Sequence, residues 1–209
     1  MDREKTNFAP SFEAVGLSLE YFHGKPVLNN LNLAIRGPQL IRLDAANGSG
    51  KSTLIEAASG YLRPSKGEVR INGHLAHDEA IRAQRRVCRS TPALHPNLSV
   101  SDHLVISANL AGVDRSEPLQ RAERLGLEEW FGFRTNTLSM GTAKKLWFIM
   151  CSTGLFNVMF LDEPFNGVDQ QSIEYMVSEI NNWSVRSLVV LVSHTVPESL
   201  NIAQTVSLV

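Results

Sequence analysis

The chain has 209 residues, 43% of them hydrophobic, and 20 Lys+Arg against 21 Asp+Glu give a formal net charge of −1. That is apolar material for one well-filled core, or a core with a small lobe, and it excludes the strongly basic footprint of a nucleic-acid binder. Two cysteines far apart in sequence, Cys88 and Cys151, exclude a disulfide framework or zinc site and point to a reducing, cytosolic setting. The charged N-terminus (MDREKTNFAP) lacks the apolar core of a secretory leader. The greasiest stretch, Leu146 to Leu161, is interrupted by Ser152, Gly154 and Asn157 and falls short of the about 20 apolar residues that span a bilayer. The chain is therefore expected to stay out of the membrane, and any anion it binds must be held by a local arrangement.

In chain order, Phe12 to Leu19 and Leu31 to Ile35 alternate apolar and polar residues and predict two half-buried strands, with turn chemistry at Phe22-His-Gly-Lys-Pro between them. Gln39 to Leu43 predicts a short strand running into Asn47-Gly-Ser-Gly. Lys51 to Ala58 predicts a helix stopped by Gly60, and Val69 to Ile71 another strand. The middle of the chain changes to helical patterns: Ser101 to Leu110, Glu117 to Leu125 and Thr142 to Cys151. Strands then alternate with helices: strand Val158 to Leu161, helix Gln170 to Trp183, strand Ser187 to Val192, helix Pro197 to Ala203, strand Val206 to Val209. That alternation predicts an α/β fold with a mostly parallel sheet. Repeats and low-complexity segments are not evident.

Residues 45–52 read Ala-Ala-Asn-Gly-Ser-Gly-Lys-Ser between a predicted strand and a predicted helix, which fits the phosphate-cradling P-loop except that its leading Gly is Ala45. Small residues let successive N–H groups turn in around phosphate oxygens, and the following helix aims its positive end at the same anion. Lys51 is placed to reach the β- and γ-phosphates, and the Ser52 hydroxyl to ligate Mg²⁺. Alanine at 45 is acceptable if φ there stays negative. An ordinary Gly-rich strand–helix turn is the bland alternative.

Val158-Met-Phe-Leu-Asp162-Glu163-Pro164 is an apolar strand ending in two carboxylates. Neighbours on a strand point to opposite faces, so different jobs are expected: Asp162 serving Mg²⁺ and Glu163 orienting or deprotonating the attacking water. A solvated acidic strand end is the alternative. Leu138-Ser139-Met140-Gly141 opens the predicted helix at Thr142 and offers a second helix N-terminus to an anion. Val189 to Ser193 is a β-rich strand followed by a lone His194.

Taken in order, these pieces resemble the nucleotide-binding domains of ABC transporters over essentially the whole chain. Asn47-Gly48-Ser49-Gly50-Lys51-Ser52-Thr53 resembles their Walker A loop, and Val158 to Glu163 their Walker B strand with its catalytic glutamate. Leu138 to Thr142 is similar to the LSGGQ signature, with Met140 and Thr142 as variant positions. Asn166-Gly-Val-Asp169 resembles the D-loop, and His194, 31 residues beyond Glu163, the switch histidine. Phe22 resembles the aromatic that stacks on adenine, with Tyr21 competing for the role. The family's Q-loop glutamine is missing, and Ser90 or Thr91 stands in its place, which implies altered coupling or slower turnover.

The resemblance implies a P-loop core at 1–89 and 156–209 that includes an antiparallel N-terminal β subdomain, and a helical subdomain over about 90–155. It further implies a head-to-tail dimer, with a second copy or a paralogous subunit, that sandwiches ATP and Mg²⁺. Each site would join Lys51, Ser52, Asp162, Glu163 and His194 of one subunit to Ser139 and Gly141 of the other, with Asp169 near the nucleotide. Glu163 and His194 are the expected catalytic residues, Ser52 and Asp162 the expected metal ligands. Integral membrane transporter subunits are the expected partners, nucleic acid is not, and the expected place is the inner face of a membrane. Short length and the Ser-Met-Gly-Thr-Ala-Lys-Lys signature resemble small exporter or biogenesis-type ATPases. The alternatives are a degenerate, regulatory ABC ATPase with weak hydrolysis or a soluble one of DNA repair. The latter inserts a long coiled coil where only 86 residues separate Thr53 from Ser139 here.

Overall fold

The computed structural model of the chain describes residues 9–22, 25–46 and 48–208, the side chains of Tyr21 and Phe22 excepted. The elements run β1 (Ser11–Phe22), β2 (Lys25–Arg36), β3 (Gln39–Asp44), α1 (Lys51–Ala58), β4 (Lys66–Ile71), β5 (His74–Leu75) and β6 (Arg85–Cys88). They continue as α2 (Val100–Ala111), α3 (Ser116–Arg124), α4 (Met140–Ser152), β7 (Val158–Asp162), α5 (Gln170–Ser184), β8 (Leu188–Val192) and β9 (Ile202–Ser207).

The alternating N-terminal segments pair antiparallel in the order β2-β1-β4-β5, and a second, parallel sheet runs β6-β7-β8-β3-β9. Every residue of β7 and β8 is buried, as central parallel strands covered on both faces require. Their side chains divide by parity. Val158, Phe160, Val190 and Val192 pack with α1 and the antiparallel sheet, where Phe12 meets Phe160 edge-on at 5.1 Å between ring centres. Met159, Leu161, Val189 and Leu191 pack on the other face with Leu104 of α2, Leu146 of α4 and Met176 of α5. The strand order sets the carboxyl ends of β3, β7 and β8 side by side, which opens a crevice where such sheets bind ligands.

Helices α2, α3 and α4 fall within two residues of the predicted segments. Ser99 and Asp102 close a reciprocal capping box on α2, and Gly112 at φ 67° ends it. The predicted helix from Pro197 to Ala203 is not formed. A single turn stands there, pinned by Asn181, whose amide donates to Ser199 O at 2.9 Å and whose Oδ1 accepts from Asn201 N at 2.9 Å. Ile202 is thereby released to start β9 beside Leu40, earlier than the predicted strand at Val206; Val209 lies outside the described residues. The two cysteines, distant in sequence, meet thiol to thiol across β6 and α4, both unbridged. Burial pushes the Cys151 thiol well up from its ordinary value, which makes it a poor nucleophile.

Candidate functional site

A cleft of about 450 Å³ opens at the carboxyl ends of β3, β7 and β8. Its floor is the loop from Ala45 into α1. Gly48 at φ 78° and Gly50 at φ 92° make the tight turn, and Gly50 is the N-cap of α1. A β-carbon at Gly50 would lie 2.9 Å from Leu28 Cγ and 3.0 Å from Val27 Cγ1, so both backbone and space demand glycine. Gly50 has no side chain to cap α1, and no carboxylate sits in the helix's first turn, so the N-terminal end of α1 turns its partial positive charge to the cleft. The Ser49 hydroxyl is buried and has no partner among the described residues. Lys51 Nζ donates to the carbonyls of Ala45 at 2.5 Å and Ala46 at 3.0 Å. Ala45 is not among the described non-glycine residues with positive φ, which are Asn30, Asn72 and Glu163; the condition for tolerating alanine there is met. Asn47, expected in the cradle, and the Phe22 and Tyr21 side chains, expected at adenine, lie outside what is described.

The opposite wall carries the carboxylates. Asp162, 5% exposed at the end of β7, lies within reach of the Ser52 and Ser90 hydroxyls. Burial pushes its carboxyl above the ordinary value and the Glu163 charge adds to this, while the two serines oppose it. Ser90 lines the cleft and Thr91 is exposed, so the residue standing for the absent glutamine is Ser90.

Glu163 does not follow the strand rule. It lines the same cleft as Asp162 instead of facing away, because its backbone turns to φ 48° as it leaves β7. A left-handed glutamate costs about 1–3 kcal/mol and persists only where its surroundings fix it, and Pro164 restricts it further. The fixing contacts are specific. Glu163 N–H donates to Val192 O at 2.8 Å, and its carboxylate accepts from His194 N at 3.1 and 3.2 Å and from Ser193 Oγ at 3.3 Å. His194 Nε2 stands 3.6 Å from Glu163 Oε1. Ser193 was not singled out in the sequence, although its place before His194 on the exit of β8 was the available signal. Asn166, which opens the stretch resembling the D-loop, is also in the wall, and so is Val27, which carried no signal.

Ser139, Gly141 and Asp169 are not among the residues lining this cleft. Ser139 is the N-cap of α4, its Oγ accepting from Thr142 N at 3.1 Å and lying 2.8 Å from Thr142 Oγ1. Gly141 presses on the next loop: a β-carbon there would stand 2.3 Å from Gly167 O. Asp169 caps α5 through Ser172 N at 2.9 Å and Ser172 Oγ at 2.8 Å, and pairs with Lys145 at 3.3 Å. Burial would raise the Asp169 carboxyl, but the Ser172 hydrogen bonds and the Lys145 charge outweigh it and hold it below its ordinary value.

The arrangement can bind a polyphosphate end-on, with N–H groups, a hydroxyl and an ammonium on one side and two carboxylates on the other. Among the described residues no cluster of three or more His, Cys, Asp or Glu side chains could hold a metal by itself. The donor set of one carboxylate beside serine hydroxyls instead suits Mg²⁺, which binds through few protein ligands and completes its shell with phosphate and water.

Comparison with known proteins agrees with this geometry. The family model described as ABC transporter matches residues 28–166. The chain is 31% identical over 178 residues to ABC transporter A family member 2 of Dictyostelium discoideum, covering 82% of this chain and 11% of that protein. It is 31% identical over 166 residues to the ABC-type transporter ATP-binding protein EcsA of Bacillus subtilis (strain 168), covering 75% of this chain and 66% of EcsA. The solved structure of an ATP binding subunit of an ABC transporter superposes with a TM-score of 0.78 at 25% identity, over 88% of this chain and 79% of that one. The chain thus spans about a tenth of the large curated relative and about two thirds of the shorter one. By its matched sequence and its fold, the chain belongs to the ABC transporter family, as an ATP-binding domain.

Proposed function

We infer that the chain binds and hydrolyses Mg-ATP in the cleft between α1 and β7, as one of two ATP-binding subunits that drive a membrane partner. The observation that carries this reading is the meeting, in one cleft, of the α1 N-terminus, the buried Ser49 hydroxyl, without a partner among the described residues, and Lys51 with the left-handed Glu163 and His194. Lys51 exchanges two neutral carbonyls for phosphate oxygens. Ser49 and the α1 N–H groups take the remaining phosphate lone pairs. Ser52 and Asp162, with Ser90 beside the latter in the cleft, are the groups that would hold Mg²⁺, which supplies charge neutralisation on the phosphates when bound. Glu163 orients a water against the γ-phosphate and accepts its proton, and the His194 ring, 3.6 Å away, contacts the γ-phosphate.

The second half of each site would come from Ser139 and Gly141 of another subunit, whose α4 N-terminus lies outside its own cleft and is free to meet a neighbour's nucleotide. The helical segment at about 90–155 would then move relative to the P-loop core as nucleotide is bound and spent. Among the described residues no helix is long and apolar enough to cross a membrane; the membrane-spanning part that transport calls for is assigned to a partner. A groove between the end of α2 and α4, with Leu110 and Leu155 largely exposed beside Arg82 and Arg86, supports docking of that partner. The test is Glu163→Gln. It is expected to abolish turnover while ATP accumulates in a stable dimer seen by size-exclusion chromatography with light scattering; undiminished hydrolysis would remove Glu163 from its role.

A further inference from the structure

Both lysines of α4 are drawn toward the protein: Lys144 is 9% exposed, and the side chain of Lys145, 13% exposed, pairs with Asp169. Among the described residues Lys144 has no carboxylate partner. Its ammonium donates instead to the backbone carbonyl of Glu163 at 3.0 Å. A buried ammonium on a neutral acceptor is a costly choice where an apolar side chain would fill the same space. Its acceptor, however, is the carbonyl of the residue whose left-handed backbone sets the direction of the cleft carboxylate.

Polar contacts from two directions hold that turn. The Glu163 N–H is fixed by Val192 O and the carboxylate by the His194 N–H; both lie on β8 or its exit. Among the described residues the carbonyl is fixed by Lys144 alone, from a different element. Loss of the donor would leave a carbonyl in a strained turn without its partner; relief of the left-handed backbone at Glu163 would then re-aim its carboxylate.

We propose that Lys144 is a positioning residue for hydrolysis: its ammonium clamps the Glu163 carbonyl, fixes the left-handed turn, and ties the aim of the carboxylate to the seating of α4. Ser139 and Gly141 head that same helix, so a displacement of its N-terminus is passed to Glu163 of the same subunit through one side chain. The proposal rests on the reading of Glu163 as the residue that positions water.

The experiment measures kcat, ATP dissociation constant and thermal midpoint for the parent chain, Lys144→Met, Lys144→Arg, Lys144→Gln and Glu163→Gln. Lys144→Met is expected to lose roughly 10- to 100-fold in kcat, the scale of a misplaced catalytic group, with ATP affinity within about twofold of the parent, a split that marks a loss felt in the transition state and not in ATP binding. Lys144→Arg, which keeps a charged donor, is expected to recover most of the rate. Should Lys144→Met fail to fold, Lys144→Gln, which keeps an N–H donor without charge, carries the test: the same split there supports the proposal, and parental kcat or a parallel loss of binding and rate overturns it. A parental kcat in folded Lys144→Met, or equal losses in the Met and Arg variants, also overturns it. Full hydrolysis by Glu163→Gln would instead fell the reading of Glu163, whereas an inactive Glu163→Gln beside a parental Lys144→Met would fell the Lys144 proposal alone.

Discussion

Replacing Gly141 by alanine tests the packing that joins the two loops expected to face a second subunit. The new β-carbon would stand 2.3 Å from the Gly167 carbonyl oxygen, where ordinary contact begins at 3.4 Å. Either the 165–169 loop withdraws by about 1 Å or α4 tilts, since backbone meets backbone and no rotamer can absorb the clash. The loop is anchored on its far side by Val168 N on Phe165 O at 3.1 Å and by Asp169 capping α5 and pairing with Lys145. Yielding therefore strains contacts beyond the substituted residue. Overpacking of this kind costs about 1–3 kcal/mol, and at roughly 2–4 °C per kcal/mol for a chain of this size the melting temperature should fall by roughly 2–12 °C. Gly141 is not among the glycines with positive φ, so alanine brings no backbone penalty of its own and the loss reads the clash. Thermal unfolding of the isolated chain by circular dichroism, without nucleotide, measures it. A midpoint within about 1 °C of the parent would refute the close approach of Gly141 to Gly167.

Ala45 packs half-buried against the core and keeps an ordinary backbone, so Ala45→Gly should lower stability by about 0.4–1 kcal/mol through the freer unfolded chain. ATP affinity by calorimetry should stay the same, and a tenfold gain would contradict the tolerance of alanine there. Ser90→Ala frees one hydroxyl from Asp162 and should raise the Mg²⁺ concentration for half-maximal ATPase by roughly 2- to 10-fold, the worth of one hydrogen bond. Exposed Thr91→Ala should leave it unchanged, and the reverse pattern would show that the wrong residue was assigned to the cleft. Asp102 is held below its ordinary carboxylate value by the side-chain and backbone hydrogen bonds of Ser99. A depressed folded value means stability present above the unfolded value, near ~3.9, and lost as pH falls through the folded one. The stability gap between parent and Asp102→Asn should therefore be constant near neutrality and shrink below about pH 4; a gap unchanged into acid would contradict the capping-box account.

The parts of the site legible in the sequence are those whose chemistry is local. Gly48 to Ser52 must follow a strand and open a helix to cradle phosphate, and that constraint is written in consecutive residues. The starts of α2 and α5 fell within one residue of the predicted ones, and the caps that set them, Ser99 with Asp102 and Asp169 with Ser172, are short-range patterns that the sequence reading did not use. What escaped depends on distant partners. The turn of Glu163 is set by Val192, His194 and Lys144, so strand parity alone aimed it wrongly. The choice between Ser90 and Thr91 depends on how β6 exits toward Asp162. The stretch from Pro197 to Val206 carries apolar residues compatible with either periodicity, and the side chain of Asn181, far upstream, decides for a turn and strand.

The central claim, ATP hydrolysis by paired copies of this cleft, is tested most directly by phosphate release from Mg-ATP as a function of chain concentration. The account predicts a rate that rises with the square of concentration while the chain is mostly monomeric and becomes linear once dimers dominate, with Lys51→Ala silent throughout. A rate strictly proportional to concentration at every dilution, or an undiminished rate from Lys51→Ala, would contradict it.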